Sequence, residues 1–247
     1  MPRTKSVCNC VLILTACIEP KGMSFTLLQD PEIRKQQYIE AMKFYLQYTD
    51  MNILFVENSG HDVSSEFAAE IENGRVEVLT FSGNDYPRAL GKGYGEMILL
   101  EYAVKHAHFV QQADFVFKVS GRYKVRNIAK FFQQYQADNQ PEILADLQRF
   151  YTMADARMWG ATPQFIRDCL LQKKEKVNDT AGYYFEHALA DAILEYIIQD
   201  HRFALFKYLP RYTAISGTDG TPYKDSWWFW YPRNLRHQFR YRCAKHY

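Results

Sequence analysis

Residues 113 to 128 read Ala-Asp-Phe-Val-Phe-Lys-Val-Ser-Gly-Arg-Tyr-Lys-Val-Arg-Asn-Ile, and the fold is decided here. Phe115-Val116-Phe117-Lys118-Val119 is β-branched and aromatic, which predicts a strand buried on at least one face. Ser120-Gly121 ends it, and Arg122, Tyr123, Lys124 and Arg126 follow at once. A buried strand that stops at glycine and delivers several cations to one point suits an anion site at a sheet's carboxyl edge. Arg grips phosphate through two parallel N–H bonds, Gly lets a ligand approach the backbone, and Tyr stacks or hydrogen-bonds.

The flanking chain supplies the other layers. Val11-Leu12-Ile13-Leu14 is a continuous apolar run, the pattern of a central parallel strand covered on both faces. Asp30-Pro31-Glu32 opens a helix, with Asp as cap and Pro in the first turn. Its apolar stripe runs from Ile33 to Tyr48. Two more strands are expected at Asn52–Val56 and Arg75–Phe81. Gly91-Lys92-Gly93-Tyr94-Gly95-Glu96 reads as a loop feeding a helix from Met97, without Walker spacing. In the second half, Phe150–Met153 and Arg157–Gly160 read as short strands. Helices are expected from Thr162-Pro163 and over Tyr183–Ile198. A Gly- and Thr-rich segment over Arg211–Tyr223 leads to a basic aromatic tail, with a helix expected from Asn234.

The alternation predicts one α/β domain with a mostly parallel sheet, residues 1–225, followed by the tail at 226–247. A length of 247 residues and a hydrophobic share of 47% are enough for a full core. The formal net charge of +2 does not mark a nucleic-acid binder. From Ser226 onward there is no acidic residue, while Arg233, Arg236, Arg240, Arg242 and Lys245 are basic. Five cysteines without paired C-x-x-C motifs point to reduced thiols and a cytoplasmic protein. Val11–Ile18 follows Arg3 and Lys5 like a signal peptide, but it is too short to span a bilayer and Glu19-Pro20-Lys21 offers no small-residue cleavage site.

The assembled order resembles a GT-A-type glycosyltransferase of bacterial surface-polysaccharide or lipopolysaccharide loci. Five stretches carry the resemblance: Leu12–Ile18, Phe55–Ser59, Gly91–Glu96, Phe117–Tyr123 and Tyr184–His187. It implies a nucleotide-sugar donor held by a half at about 8–130 and a glycan acceptor held by a half at about 140–225. Thr15, Ala16 and Ile18, with Glu57 and Asn58, are then expected around base and ribose. Lys92, Lys118, Ser120, Gly121, Arg122 and Tyr123 are expected on the diphosphate.

GT-A enzymes usually end the central strand in Asp-x-Asp, which holds a divalent metal. No Asp-x-Asp occurs here, and Lys118-Val119-Ser120-Gly121-Arg122 stands in its place. Glu70-Ile71-Glu72 has the spacing but reads as a solvated helix. Negative charge on a departing nucleotide diphosphate must be neutralised by metal or by fixed cations. Lys118 and Arg122 point to the second course, with no cofactor required; Asp114 or Asp85 is left as a possible metal ligand. An inverting transfer needs a carboxylate base. By the resemblance this is Glu186 at the start of a helix, with His187 beside it and Asp155 or Asp179 as rivals. UDP is the default nucleotide. Two other classes stay open: a different nucleotide-dependent transferase, and a non-catalytic nucleotide- or carbohydrate-binding module. The tail, with Trp and Tyr beside arginines, suits an anionic membrane surface at the inner face of the cytoplasmic membrane.

Overall fold

The computed structural model describes residues 8–23, 26–214 and 226–244. The Gly- and Thr-rich segment beyond Ala214, and Arg3 and Lys5, lie outside the described residues.

In chain order, β1 (Cys10–Ala16), α1 (Pro31–Tyr48), β2 (Asn52–Glu57), α2 (Ala68–Glu72) and β3 (Val76–Thr80) make the first unit. Then come α3 (Gly91–His106), α4 (His108–Gln112), β4 (Phe115–Ser120), β5 (Lys124–Val125) and α5 (Ile128–Ala137). The second half holds β6 (Ile143–Ala145), β7 (Leu147–Gln148), β8 (Met153–Ala154), β9 (Met158–Ala161) and α6 (Pro163–Phe165). It closes with α7 (Phe185–Ile198), β10 (Phe203–Leu205), β11 (Tyr212–Thr213) and α8 (Trp227–Ala244).

Seven strands form the main sheet in the order β10-β6-β9-β4-β1-β2-β3. β4 stands in the middle, parallel to β1 on one side and antiparallel to β9 on the other. β1–β2, β2–β3 and β6–β10 are parallel as well, so the expected α/β sandwich with a mostly parallel sheet is what the chain forms. Alternation along β1 serves two cores. Val11 and Ile13 pack with Met97 and Leu100 of α3 and Leu189 of α7. Leu12 and Leu14 pack with Tyr38 and Met42 of α1 and Phe131 of α5. A strand buried on both faces needs an unbroken apolar run, which is what this one carries.

Local chemistry sets the element ends. Asp30 Oδ1 accepts from Ile33 N at 3.0 Å, and Pro31 follows, as the cap reading requires. Thr162 Oγ1 does the same for Phe165 N at 3.2 Å and opens α6.

Three expectations need correction. The glycines of 91–95 do not precede a helix; α3 begins at Gly91 and contains them. A Cβ on Gly91 would lie 2.3 Å from Asp179 Oδ2, and one on Gly95 2.2 Å from the Tyr86 hydroxyl oxygen. They are there so that the first turns of α3 can press against neighbouring elements. Phe150–Met153 is not a strand: Arg149, Phe150 and Tyr151 form a left-handed turn at φ 48°, 55° and 68°, and only Met153–Ala154 pairs, with β7. The tail helix starts at Trp227 rather than Asn234, because Trp230 Nε1 reaches Leu209 O at 3.1 Å and draws the aromatic run into the helix.

Gly121, just past β4, lies close against the backbone of β1. Its N–H donates to Thr15 O at 2.9 Å, and a Cβ there would stand 2.6 Å from that same backbone oxygen. Neither strand can yield without disturbing the sheet. Gly121→Ala is therefore expected to lose about 1–3 kcal/mol in urea unfolding, the usual cost of overpacking.

Candidate functional site

The carboxyl ends of β1 and β4 open into a cavity of about 220 Å³. The two strands stop in register, Thr15 opposite Ser120. The first turns of α3 and α7 close the opposite wall, and the loop after β1 covers one end.

Lys118 sits at the centre, with a side chain 1% exposed. Its ammonium lies 2.6 Å from Glu96 Oε1, 2.8 Å from Ala156 O and 3.3 Å from Ser120 Oγ. Two of its N–H donors thus meet hydrogen-bond acceptors, and the Glu96 carboxylate balances its charge as an ion pair. Lys118 lines the cavity as expected, but its bonds tie β4 to α3 and to the turn before β9. Arg122 also lines the cavity, and its Nη1 donates to Gln37 Oε1 on α1 at 2.8 Å. Lys92 of α3 and Arg157 after the β8 turn add cationic groups to the wall.

Carboxylates face these cations. Glu186, in the first turn of α7, lines the cavity and is half-buried. Burial pushes its carboxyl above the ordinary glutamate range; its own backbone N–H, Lys92 and Lys118 oppose the shift, and Asp179 adds to it. Asp179 is buried and likewise raised, chiefly by desolvation. Its Oδ2 accepts from Gly93 N at 3.2 Å, while Oδ1 has no hydrogen-bond partner among the described residues. Thr15 Oγ1 and Asn58 Oδ1 are also buried and unpartnered among the described residues. All three residues line the cavity. Glu96 Oε1, in the same lining, has an ion pair but no hydrogen bond among the described residues. Buried polar atoms are normally satisfied, so unsatisfied ones gathered at a single cavity are what a polar ligand would complete.

Of the residues expected here, Thr15, Ala16 and Asn58 meet Lys92, Lys118 and Glu186 in this cavity, together with the run Ser120, Gly121, Arg122 and Tyr123. Four stand outside it. Glu57 is fully buried and spends its oxygens on the N–H groups of Ile18, Ser59 and His61, each at 2.9 Å, and on the Ser59 hydroxyl. It shapes the loop and leaves no acceptor for a ribose. Ile18 is fully buried in the core beneath that loop. Asp155 pairs with Arg157, Oδ1 to Nε at 2.8 Å and Oδ2 to Nη2 at 2.7 Å, which turns its carboxylate from the opening. His187 uses Nδ1 to accept from Tyr184 N at 3.1 Å, holding the start of α7.

Several cavity residues were not foreseen. Arg34 and Tyr38 of α1 reach it by holding the carbonyl of Cys17. Arg34 sits where the amphipathic pattern of the helix reads as solvent-facing, and nothing local signals otherwise. Glu96 belongs to the glycine-rich stretch, but its pairing with Lys118 is a tertiary fact. Among the described residues no group of three or more His, Cys, Asp or Glu side chains is placed to hold a metal. The end of β4 presents Lys118, Ser120 and Arg122 to the cavity, a donor set that does not suit a divalent cation.

No family model and no curated protein matches the chain. Among solved structures it is similar to a cytidylyltransferase from Leptospira borgpetersenii, at 13% identity over 81% of this chain and 76% of that one, TM-score 0.44. A putative glucose-1-phosphate thymidylyltransferase from Bacillus anthracis gives 11% identity over 94% and 96%, TM-score 0.45. HddC from Yersinia pseudotuberculosis gives 14% identity over 92% and 98%, TM-score 0.46. Likeness of this size concerns the path of the chain and carries nothing about activity.

The Lys118–Glu96 pair yields a direct test. Lys118→Met leaves a carboxylate in the wall without its cation and is expected to cost about 3 kcal/mol, in the range for breaking a buried pair. Adding Glu96→Gln removes the stranded charge, so the double variant is expected to unfold at higher urea than Lys118→Met alone.

Proposed function

We propose that the protein is a glycosyltransferase that moves a sugar from a nucleotide-sugar donor, by preference a UDP-sugar, to a glycan acceptor, lipid-linked, in bacterial surface-polysaccharide synthesis. One observation carries the reading: at the carboxyl edge of the sheet, a cavity joins a cationic strand end to a half-buried carboxylate, Glu186. Fixed cations suit a diphosphate leaving group, and a carboxylate with a raised pKa suits proton removal near neutral pH.

In this reading the base and ribose lie against Thr15, Ala16 and Asn58, and the unpartnered Thr15 Oγ1 and Asn58 Oδ1 accept N–H and hydroxyl donors. The diphosphate lies toward Arg122, Lys92 and the Gly121 backbone. Lys118 acts at one remove, adding positive charge beneath the site while holding Glu96. The acceptor hydroxyl attacks the anomeric carbon as the bond from that carbon to the phosphate oxygen breaks. Glu186 takes the hydroxyl proton, and the nucleoside diphosphate departs with the bonding pair. The transfer inverts the anomeric centre, and the fixed cations take the place of a metal.

Calorimetric titration with UDP tests the donor half. Arg122→Ala is expected to weaken binding by about 1.5–3 kcal/mol, as for hydrogen bonds to charged groups, and Lys to restore only part because it lacks the planar fork. Unchanged affinity would remove Arg122 from the site. Activity is expected to survive EDTA; loss that Mn²⁺ restores would overturn the cation assignment. With a UDP-sugar and acceptor, the product is free UDP. Release of pyrophosphate from a nucleoside triphosphate and a sugar phosphate would make the protein a nucleotidyltransferase instead. Binding with no turnover in either assay would make it a binding module.

The pH profile tests Glu186 separately. A base works deprotonated, so kcat/KM is expected to rise with pH through a pKa above the ordinary glutamate range. Asp179 helps to raise that pKa, so Asp179→Asn is expected to move the acid limb to lower pH. Glu186→Gln should remove the limb together with most of the rate. A limb left in place in Glu186→Gln would assign the base elsewhere.

A further inference from the structure

Helix α8 is held to the domain along one face. Trp230 Nε1 donates to Leu209 O at 3.1 Å, and Leu209 N donates to Asn234 Oδ1 at 2.9 Å. His237 Nε2 donates to Phe206 O at 2.7 Å, and the Tyr241 hydroxyl reaches Asp138 Oδ2 at 3.3 Å. These four positions follow helical spacing and mark the docked side. Trp228, Leu235 and Phe239 follow the same kind of spacing on a second stripe, roughly 150° round the helix at 100° per residue. They are exposed by 83%, 47% and 68%. Arg242 and Arg236 are exposed on either side of them, and the helix carries no acidic residue. An apolar stripe whose only charged neighbours are cations is the pattern of a helix lying in an anionic interface.

A second element stands at the same edge. Phe206 N donates to Ala145 O at 3.1 Å, while Phe206 O is the acceptor for His237. Asp146 follows Ala145 and feels His237 and Arg240 electrostatically. From it springs the β7–β8 hairpin, whose tip is the left-handed turn Arg149-Phe150-Tyr151. Non-glycine residues pay about 1–2 kcal/mol each for that conformation. The turn leaves Phe150 99% and Tyr151 56% exposed, beside an exposed Arg149. The strained turn thus presents rings to solvent, next to a cation, as the helix does. The far leg of the hairpin leads into Ala156 and Arg157, which line the cavity.

We propose that the outer stripe of α8 and the hairpin tip form one docking surface for an anionic lipid bilayer, which brings the cavity wall at Ala156 and Arg157 to the membrane. The surface stands on its own observations; it rests on the transfer reading only in taking the acceptor to be lipid-linked. Rings of both elements lie at headgroup depth, and the arginines meet lipid phosphate.

The test is sedimentation of the full-length protein with phosphatidylglycerol-containing vesicles and with pure phosphatidylcholine vesicles. Binding is expected to the anionic vesicles, weakening as salt rises. Trp228→Ser with Phe239→Ser, and separately Phe150→Ser with Tyr151→Ser, are each expected to weaken it about tenfold, the loss of on the order of 1.4 kcal/mol. These residues are exposed, so thermal melting and UDP titration should be unchanged; failure of the donor reading would leave vesicle binding in place, and the reverse. Absence of binding, equal affinity for both vesicles, or equal binding by variants and wild type would overturn the proposal. So would concentration-dependent self-association abolished by the Trp228 and Phe239 changes, which would make the stripe a contact between copies.

Discussion

Lys118 is an ammonium group with almost no access to water, placed where the central strand, the first turns of α3 and the turn before β9 converge. Removing such a charge from water costs several kcal/mol unless its bonds are all made. The Ala156 carbonyl and the Ser120 hydroxyl accept its N–H donors, and the Glu96 carboxylate pairs with its charge. The arrangement of the cavity follows. Glu96 must point inward, so the start of α3 must lie close to β4, while the glycines at 91, 93 and 95 admit Asp179 and Tyr86 against the same turns. Asp179 can then reach Gly93 N, and its neighbour Glu186 is left with little solvation of its own. The buried charge thus fixes one carboxylate directly, and two more gather around the same helix start.

The elements whose identity depends on local pattern were legible. β1 and β4 declare themselves by apolar runs, and α1 by Asp30-Pro31. The α/β order followed from these alone. What stayed hidden depends on contacts between distant residues. Glu57 reads as a free polar group at the end of a strand, and only the loop folding back over it shows that its oxygens serve Ile18, Ser59 and His61. The glycine-rich stretch reads as a flexible loop, because its real reason is the approach of Asp179 and Tyr86. Phe150 and Tyr151 have strand propensity, yet the hairpin places them in a turn that propensity argues against. The site was legible at the ends of β1 and β4 and illegible where α1, or the loop closing over Glu57, decided it.

Electrostatics in the cavity divide the labour between charges that are spent and charges that are available. Lys118 is spent on protein partners, and Asp155 and Arg157 on each other. Thr15, Asn58 and Asp179 keep oxygens with no protein partner among the described residues, at the wall of the cavity. A preorganised site of this kind loses little by reorganising when a ligand arrives, since the cost was met when the protein folded.

The antiparallel strand β9 sits between β4 and β6, and its place has a consequence for how the molecule is made. Cys10 pairs with Phe115, so the inner edge of β1 waits for a strand synthesised more than a hundred residues later. β2 and β3 are at hand early and cover the other edge. Until β4 arrives, an unpaired row of backbone groups flanked by Leu12, Ile13 and Leu14 faces solvent, and such edges invite pairing with other chains. β4 in turn stays open until β9 returns. The sheet grows outward from a late central event, so assembly is governed by long-range closure rather than by any single helix or hairpin.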